Sequence, residues 1–229
     1  MDQGTLRLEP GPDASGQAAG SLFDDRLLLT LASANDAFLR LAGELHGAWP
    51  AEGALGIAAH HLASLAALGC HRRNALAGLP YVLFDLRFRD DGWWAALSGG
   101  APSVNDGAES VRPDLRVVEF ARYGLTLGWH LAQVSEASAR IALGMGDAAL
   151  ALLRGAPLGA VDGLAARAGT GLTARFAGSL PYWRLFIQAA LAPDAGTNAG
   201  LRLLGLQLMG MDAARSRGVQ RRSRRTAVP

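Results

Sequence analysis

The sequence predicts an all-α, mainly helical fold, and three observations support this prediction. Apolar residues recur at steps of three and four along most of the chain, as they do on one face of a helix. Glycine and proline cluster where that periodicity breaks. Only residues 81–88 have the β-branched and aromatic composition of a strand, and so short a run is equally compatible with the end of a helix.

Composition divides the chain into five parts. Residues 1–20 contain four glycines, two prolines and few large apolar side chains, which predicts a disordered lead. Residues 99–113 concentrate glycine, proline and asparagine, as linkers do. We therefore expect a first helical module over residues 21–98, a second over 114–214 and a basic tail over 215–229.

Three helices are predicted in the first module. Residues 27–45 form either one amphipathic helix or two. The second possibility arises because Asn35 and Asp36 are suited to cap a new helix that begins there. A second helix over residues 55–68 is closed by a glycine, and a third, short helix occupies residues 72–76.

The second module shows the same helical periodicity. Glycines and prolines again set the expected boundaries. The predicted helices cover residues 115–142, 148–154, 157–167, 181–191 and 199–215.

Positive charge is concentrated at the C-terminal end. All 22 basic residues are arginines, and six of them follow the last acidic residue, Asp212. The rest of the chain holds 16 arginines against 20 acidic residues, a net charge of −4. A local argument for binding DNA phosphates therefore exists, with a solvated basic tail as the alternative. The candidate DNA-binding residues are Arg215, Arg217, Arg221, Arg222, Arg224 and Arg225.

No constellation of residues predicts catalysis, a metal or a cofactor. The single cysteine, Cys70, is expected to be a small buried apolar residue. His60 and His61 are adjacent, so on a helix they should point in different directions rather than chelate a metal. Glycine clusters lack the pattern of a nucleotide-binding loop, and the pairs of aspartates at residues 24–25 and 90–91 are interpreted as helix-start charges. We therefore expect a protein that is not an enzyme.

An internal repeat aligns residues 55–88 with residues 143–176 at an offset of 88 without a gap. Nine of 34 positions are identical, framed by Leu-Gly at one end and Arg-Phe at the other. A duplicated unit places two copies of one packing surface in a single chain, and these can pair as a pseudo-symmetric dimer.

Large aromatic side chains follow the Arg-Phe pair in both copies. Core packing is the default interpretation, and contact with a protein partner is the alternative, since tryptophan and tyrosine dominate interfaces. The candidate partner-binding residues are Trp93, Trp94, Tyr182 and Trp183.

The second copy resembles the flagellar transcriptional activator FlhD over residues 115–225. The resemblance rests on Ala137-Ser138-Ala139, on Leu143-Gly144 three residues later, on the frame ending in Arg175-Phe176, and on a final apolar helix with a basic end. It implies an all-helical fold, a homodimer and a complex with the activator FlhC that binds promoters. Leu172 stands where the family has a cysteine, so the disulfide of some members is not available here. The first copy matches only in its central frame.

These observations lead to two expectations about function. The first is an FlhD-like regulator of flagellar or motility genes that assembles with an FlhC-like partner or with itself and contacts DNA through the arginines. The second is a protein–protein adaptor or antagonist without DNA binding. Apolar stretches too short to cross a bilayer and the lack of a secretory leader pattern at Met1 place either protein in the cytoplasm.

Overall fold

A computed structural model of the chain describes residues 24–46, 55–98, 114–192 and 194–226, with side chains described as far as Ala214. The expected disordered lead and linker lie outside these residues. The all-α prediction is confirmed, since helices dominate and the only strands in the described ranges are two residues long.

The first half contains four helices and one strand. Helix α1 spans Asp25–Glu44, α2 Ala59–Ala66, α3 Cys70–Ala77, strand β1 Phe84–Asp85 and α4 Asp91–Ser98.

The second half repeats this order and extends it. Helix α5 spans Leu115–Val134, α6 Glu136–Ser138, followed by a π-helical turn over Ala139–Leu143, then α7 Asp147–Gly155, α8 Ala160–Gly169, strand β2 Thr173–Ala174, α9 Leu180–Leu191 and α10 Ala195–Thr226.

The predicted repeat offset reappears in the placement of the elements. Helices α2 and α7 begin 88 residues apart, and the antiparallel strands pair Asp85 with Thr173, which are also 88 residues apart. Gly56 and Gly144, the glycines of the Leu-Gly pairs, both adopt left-handed backbone conformations, with φ of 72° and 76°. Within residues 81–88 the structure has a strand at Phe84–Asp85 only, so the strand alternative holds for two of the eight residues.

The two halves exchange packing contacts. Helix α4 of the first half packs on α7 of the second, and α9 of the second packs on α2 and α3 of the first. Backbone hydrogen bonds cross in the same way, from the Arg175 amide to the Leu83 carbonyl (2.8 Å) and from the Gly146 amide to the Phe88 carbonyl (2.8 Å). The halves therefore share one core.

Aromatic rings fill the centre of that core. Phe38 of α1, Phe84 of β1 and Phe120 of α5 meet with ring centroids 4.9 to 6.0 Å apart. All three are buried, and each contributes about 2 kcal/mol through removal of apolar surface from water.

Asn35 does not cap a second helix, because α1 is continuous and the side chain is fully buried inside it. Its amide nitrogen donates to the carbonyls of Ala77 (3.0 Å) and Tyr81 (2.9 Å), and its oxygen accepts from the Leu83 amide (2.8 Å). Asn35 thus provides hydrogen bonds to three backbone groups of residues 77–83, where that segment packs against the middle of α1.

Two further expectations are corrected. The helix that begins at Leu115 ends at Val134, because the Ser135 side chain caps a new helix by accepting from the Ser138 amide. Cys70 is exposed rather than buried, since it is the first residue of α3 and lies at the surface end of that helix. The aspartates at helix starts are confirmed: Asp24 caps α1, and Asp90 accepts from the Trp93 amide at 3.0 Å.

Candidate interaction surface

Helix α10 is fixed to the core through two buried tyrosines. Gly205 lies directly against the Tyr81 ring and hydroxyl, where a Cβ atom would overlap them. The Tyr81 hydroxyl donates to the Leu201 carbonyl (3.4 Å) and lies 3.3 Å from the Tyr182 hydroxyl. Burial raises the pKa of both phenols, so they stay neutral and act as hydrogen-bonding groups. A glycine is therefore required at position 205 for this close approach.

Charged groups fasten the same helix at two further points. The Asp212 carboxylate forms an ion pair with Arg89, whose Nε also donates to the Gly144 carbonyl at 3.3 Å. Arg202 donates through Nη2 to the Gly78 carbonyl at the end of α3 (3.2 Å). These are the only charged residues between Ala195 and Ala214, so both charges of that stretch are engaged with the fold.

The outer face of α10 is therefore almost free of charge. Leu203 is 58% exposed, Leu206 47% and Met211 52%. The small residues Gly196, Ala199, Gly210, Ala213 and Ala214 also lie at the surface, and the exposed polar side chains of residues 195–214 are Arg202 and Gln207. Surface helices of globular proteins normally carry polar residues on the face opposite the core, so an apolar outer face marks an interaction surface.

An apolar groove adjoins this face between α9 and α10. Its apolar lining comes from Leu185 and Leu204, which are half-buried, and from Leu180, which is 61% exposed. The groove is lined by Leu180, Pro181, Arg184, Leu185, Gln188 and Leu204.

Helix α10 also continues into the arginine-rich segment. It was expected to end at Arg215, but the helix extends to Thr226, so the basic tail is helical over most of its length. Positions 217, 221, 224 and 225 follow helical steps of three and four, which places them on one side of the helix. The side chains of the six candidate arginines lie outside the described residues.

Three of the four candidate partner-binding aromatics lie in the core. Trp94 and Tyr182 are fully buried and Trp183 is 2% exposed. The Trp94 indole donates to the Arg87 carbonyl at 2.8 Å, and its ring stacks on Phe88. Core packing is thus the interpretation that the structure supports for these three. Trp93 is half-buried. The Cζ atom of Arg87 lies over its ring, 5.9 Å from the ring centroid.

Two of the histidines, His60 and His61, are neighbours on α2. The rings of His60 and His61 lie 3.9 Å apart, so the expectation that they point in different directions was wrong. In the part of the chain that the structure describes, no three histidine, cysteine or carboxylate side chains converge on a metal position. In the same residues, no helix is both long enough and apolar enough to cross a membrane.

Arg175 carries an unusual buried charge. It is 4% exposed and donates to the Ala142 carbonyl (2.5 Å) and the Ile141 carbonyl (3.4 Å) at the end of the π-helical turn. Burial, assisted by repulsion from Arg89, lowers its pKa to about 10. Its guanidinium also lies over the Phe176 ring, 5.3 Å from the centroid. The arrangement holds the turn in place and leaves the charge without access to solvent.

No family model, no curated protein and no solved structure matches the chain.

The outer face of α10 is the candidate functional feature that sequence analysis missed. Its signal was present, because 20 consecutive residues from Ala195 to Ala214 contain only two charges. The sequence did not show which groups those two charged side chains contact. Only the fold shows that Asp212 pairs with Arg89 and that Arg202 donates to the Gly78 carbonyl.

Proposed function

We propose that the chain is a transcriptional regulator of the FlhD kind, acting on flagellar or motility genes, which works through protein assembly and contacts DNA through the end of α10. The observation that carries the proposal is α10 itself. One continuous helix joins an uncharged outer face to a basic end, so one element combines a surface for protein contact with a set of arginines for phosphate contact.

The crossed packing of the two halves supports the assembly part of this proposal. A duplicated helical unit in which α4 and α9 are exchanged corresponds to a dimer joined into one chain. The FlhD resemblance implies a homodimer, and the tandem arrangement supplies the equivalent of one from a single chain.

DNA binding is tested with R217Q/R221Q/R224Q/R225Q. We expect weaker binding to every DNA duplex, because phosphate contacts neutralise charge without distinguishing bases. A plot of log affinity against log salt should become shallower by roughly 0.9 for each phosphate contact that is lost. Fluorescence anisotropy with two duplexes of unrelated sequence, at two salt concentrations, measures both quantities.

The matched control is R26Q/R72Q/R122Q/R167Q, which removes the same charge from the surfaces of α1, α3, α5 and α8. We expect it to retain most of the wild-type affinity and salt dependence. Equal losses in the two variants would show that net charge alone is responsible. Absence of DNA binding by the wild-type chain would contradict the regulator proposal.

The exposed apolar surface of α9 and α10 favours a second candidate, an adaptor or antagonist that binds a protein and no DNA. An adaptor would keep its partner when all four arginines are replaced, because its contacts would lie on the folded helices. Capture of an FlhC-like protein by both wild type and the quadruple variant, without DNA binding by either, would favour this candidate.

A further inference from the structure

Helix α10 carries apolar and basic positions one after the other along the same side. Residues at steps of three and four share one side of a helix. Such steps join Leu203, Leu206, Gly210, Ala213, Arg217, Arg221 and Arg224. The first four of these residues are exposed. One side of the helix, roughly 30 Å long at 1.5 Å per residue, is therefore apolar in its first part and basic in its second.

Acidic groups do not offset the basic part. Residues 180–226 contain eight arginines and only two acidic residues, Asp194 and Asp212. Asp194 accepts from the Thr197 amide at 2.8 Å, where α10 begins, and Asp212 pairs with Arg89. Arg184 of the neighbouring α9 is also exposed. Both carboxylates are engaged within the fold, so this surface favours an anionic partner.

A matching partner must offer apolar groups beside its negative charge. Leu203 is 58% exposed and Met211 52%, and a contact made by charge alone would leave both in water. Duplex DNA offers phosphates but little apolar surface to such side chains. The surface of an anionic bilayer offers both, because its acidic head groups lie directly above the acyl chains. Arginine stems are long enough to reach the phosphates while leucine side chains enter deeper.

We propose that the outer side of α10 binds the surface of a membrane that contains anionic phospholipids. Leu203, Leu206 and Met211 enter the boundary between head groups and acyl chains, and the arginines of residues 217–225 contact lipid phosphates. The helix lies along the surface and does not cross the bilayer. These arginines are also the ones proposed to contact DNA, so lipid and DNA compete for the chain. The membrane contact itself does not depend on DNA binding.

Two weak contributions combine in this contact. Stable attachment to a membrane usually needs two signals, such as an apolar group together with a basic cluster. Each arginine near an anionic surface strengthens binding by roughly fivefold at moderate salt. Loss of either contribution should therefore release the chain. This joint requirement distinguishes lipid from DNA, for which the arginines alone are sufficient.

Co-sedimentation of the full chain with unilamellar vesicles tests the proposal. One set of vesicles contains phosphatidylcholine alone, and the other contains equal parts of phosphatidylcholine and phosphatidylglycerol. We expect the wild-type chain to bind the anionic vesicles and not the neutral ones, with weaker binding at higher salt. R217Q/R221Q/R224Q/R225Q should bind the anionic vesicles roughly 100-fold more weakly.

The decisive variant is L203Q/L206Q/M211Q. It removes exposed apolar groups and keeps every charge, and glutamine is a good helix former, so circular dichroism should match the wild type. Binding to anionic vesicles should fall roughly 10-fold or more, because the apolar surface no longer leaves water. DNA binding, measured by fluorescence anisotropy, should not change.

The matched control is L29Q/L115Q/L158Q. It makes the same kind of change at leucines that are 72%, 78% and 52% exposed, on α1, on α5 and in the turn before α8. We expect it to bind the anionic vesicles as the wild-type chain does, because none of the three positions lies on α10.

Any of four results would overturn the inference: no binding of the wild-type chain to anionic vesicles, equal binding to neutral ones, undiminished binding by L203Q/L206Q/M211Q, or an equal loss in the control. Undiminished binding by the apolar variant would mean that charge alone attracts the chain. Vesicle binding without DNA binding would contradict only the regulator proposal, and DNA binding without vesicle binding would contradict only the membrane contact.

Discussion

The two halves place the arginine of the Arg-Phe pair in opposite environments. Arg175 is buried and holds the carbonyls of the π-helical turn, whereas Arg87 is exposed and covers Trp93. The positions opposite the two left-handed glycines also differ. A Cβ on Gly56 would lie 2.9 Å from the Ala177 Cβ, while one on Gly144 would lie 2.8 Å from an Arg89 nitrogen.

The difference between the residues opposite the two glycines explains how the surfaces of the two halves come to differ. Ala177 and Arg89 are equivalent at the 88-residue offset, but only Arg89 has the length and charge to reach Asp212 on α10. The difference between these two positions thus provides an attachment point for a helix that, in the described residues, only the second half carries. Two halves with the same arrangement of helices can therefore have different surfaces when the residues that differ between them lie at the edge of the core.

The largest effect is expected from Asn35→Leu, which gives the eleventh position of α1 the residue type that α5 has at its own eleventh position, Leu125. Two carbonyls and one amide would lose their buried hydrogen bonds, at a cost of about 3 kcal/mol in the free energy of unfolding. Urea denaturation measures the change. A loss too small to resolve would mean that the two helices are interchangeable at this position.

Gly56→Ala should destabilise the chain by about 2 kcal/mol, because it combines a left-handed backbone with a collision across the two halves. Ala177→Gly in the same chain removes the collision and should recover part of the loss. Without such recovery, the contact between the halves at this point contributes nothing.

Asp212→Asn is expected to cost about 1 kcal/mol, since the ion pair with Arg89 is only partly buried. Hydrogen exchange should increase along α10 and remain unchanged in α5. Arg122→Gln is the control: it breaks an exposed ion pair with Asp162 and should change stability by less than about 0.5 kcal/mol.

The smallest effect concerns His61, whose counterpart in the second half is Ala149. Burial, with repulsion from His60 and Arg184, lowers the His61 pKa below 6.5. The unfolded chain therefore takes up a proton more readily, so stability should fall as pH drops below 6.5 and level off below the folded pKa. His61→Ala should remove this part of the slope, measured by urea titrations from about pH 7.5 to about pH 5. The exposed His130→Ala should keep it.

Periodicity was sufficient to predict the fold class and most helices, because each helix buries one apolar stripe. It did not predict that α1 would continue through Asn35 and Asp36, since the partners of Asn35 lie more than 40 residues away. The repeat offset was visible in the Leu-Gly and Arg-Phe pairs because those residues have special backbone or contact roles. The burial of Trp94, Tyr182 and Trp183 could not be distinguished from exposure in the sequence, because aromatic side chains serve both cores and interfaces.

Joining the two halves in one chain changes what dilution and mutation can do to them. Separate subunits part when their concentration falls, whereas linked units keep a high local concentration that the cell cannot dilute. In a pair of identical subunits every mutation occurs twice, once on each side. Here the gene can alter position 89 without altering position 177, so each half can acquire its own role while the other preserves the fold.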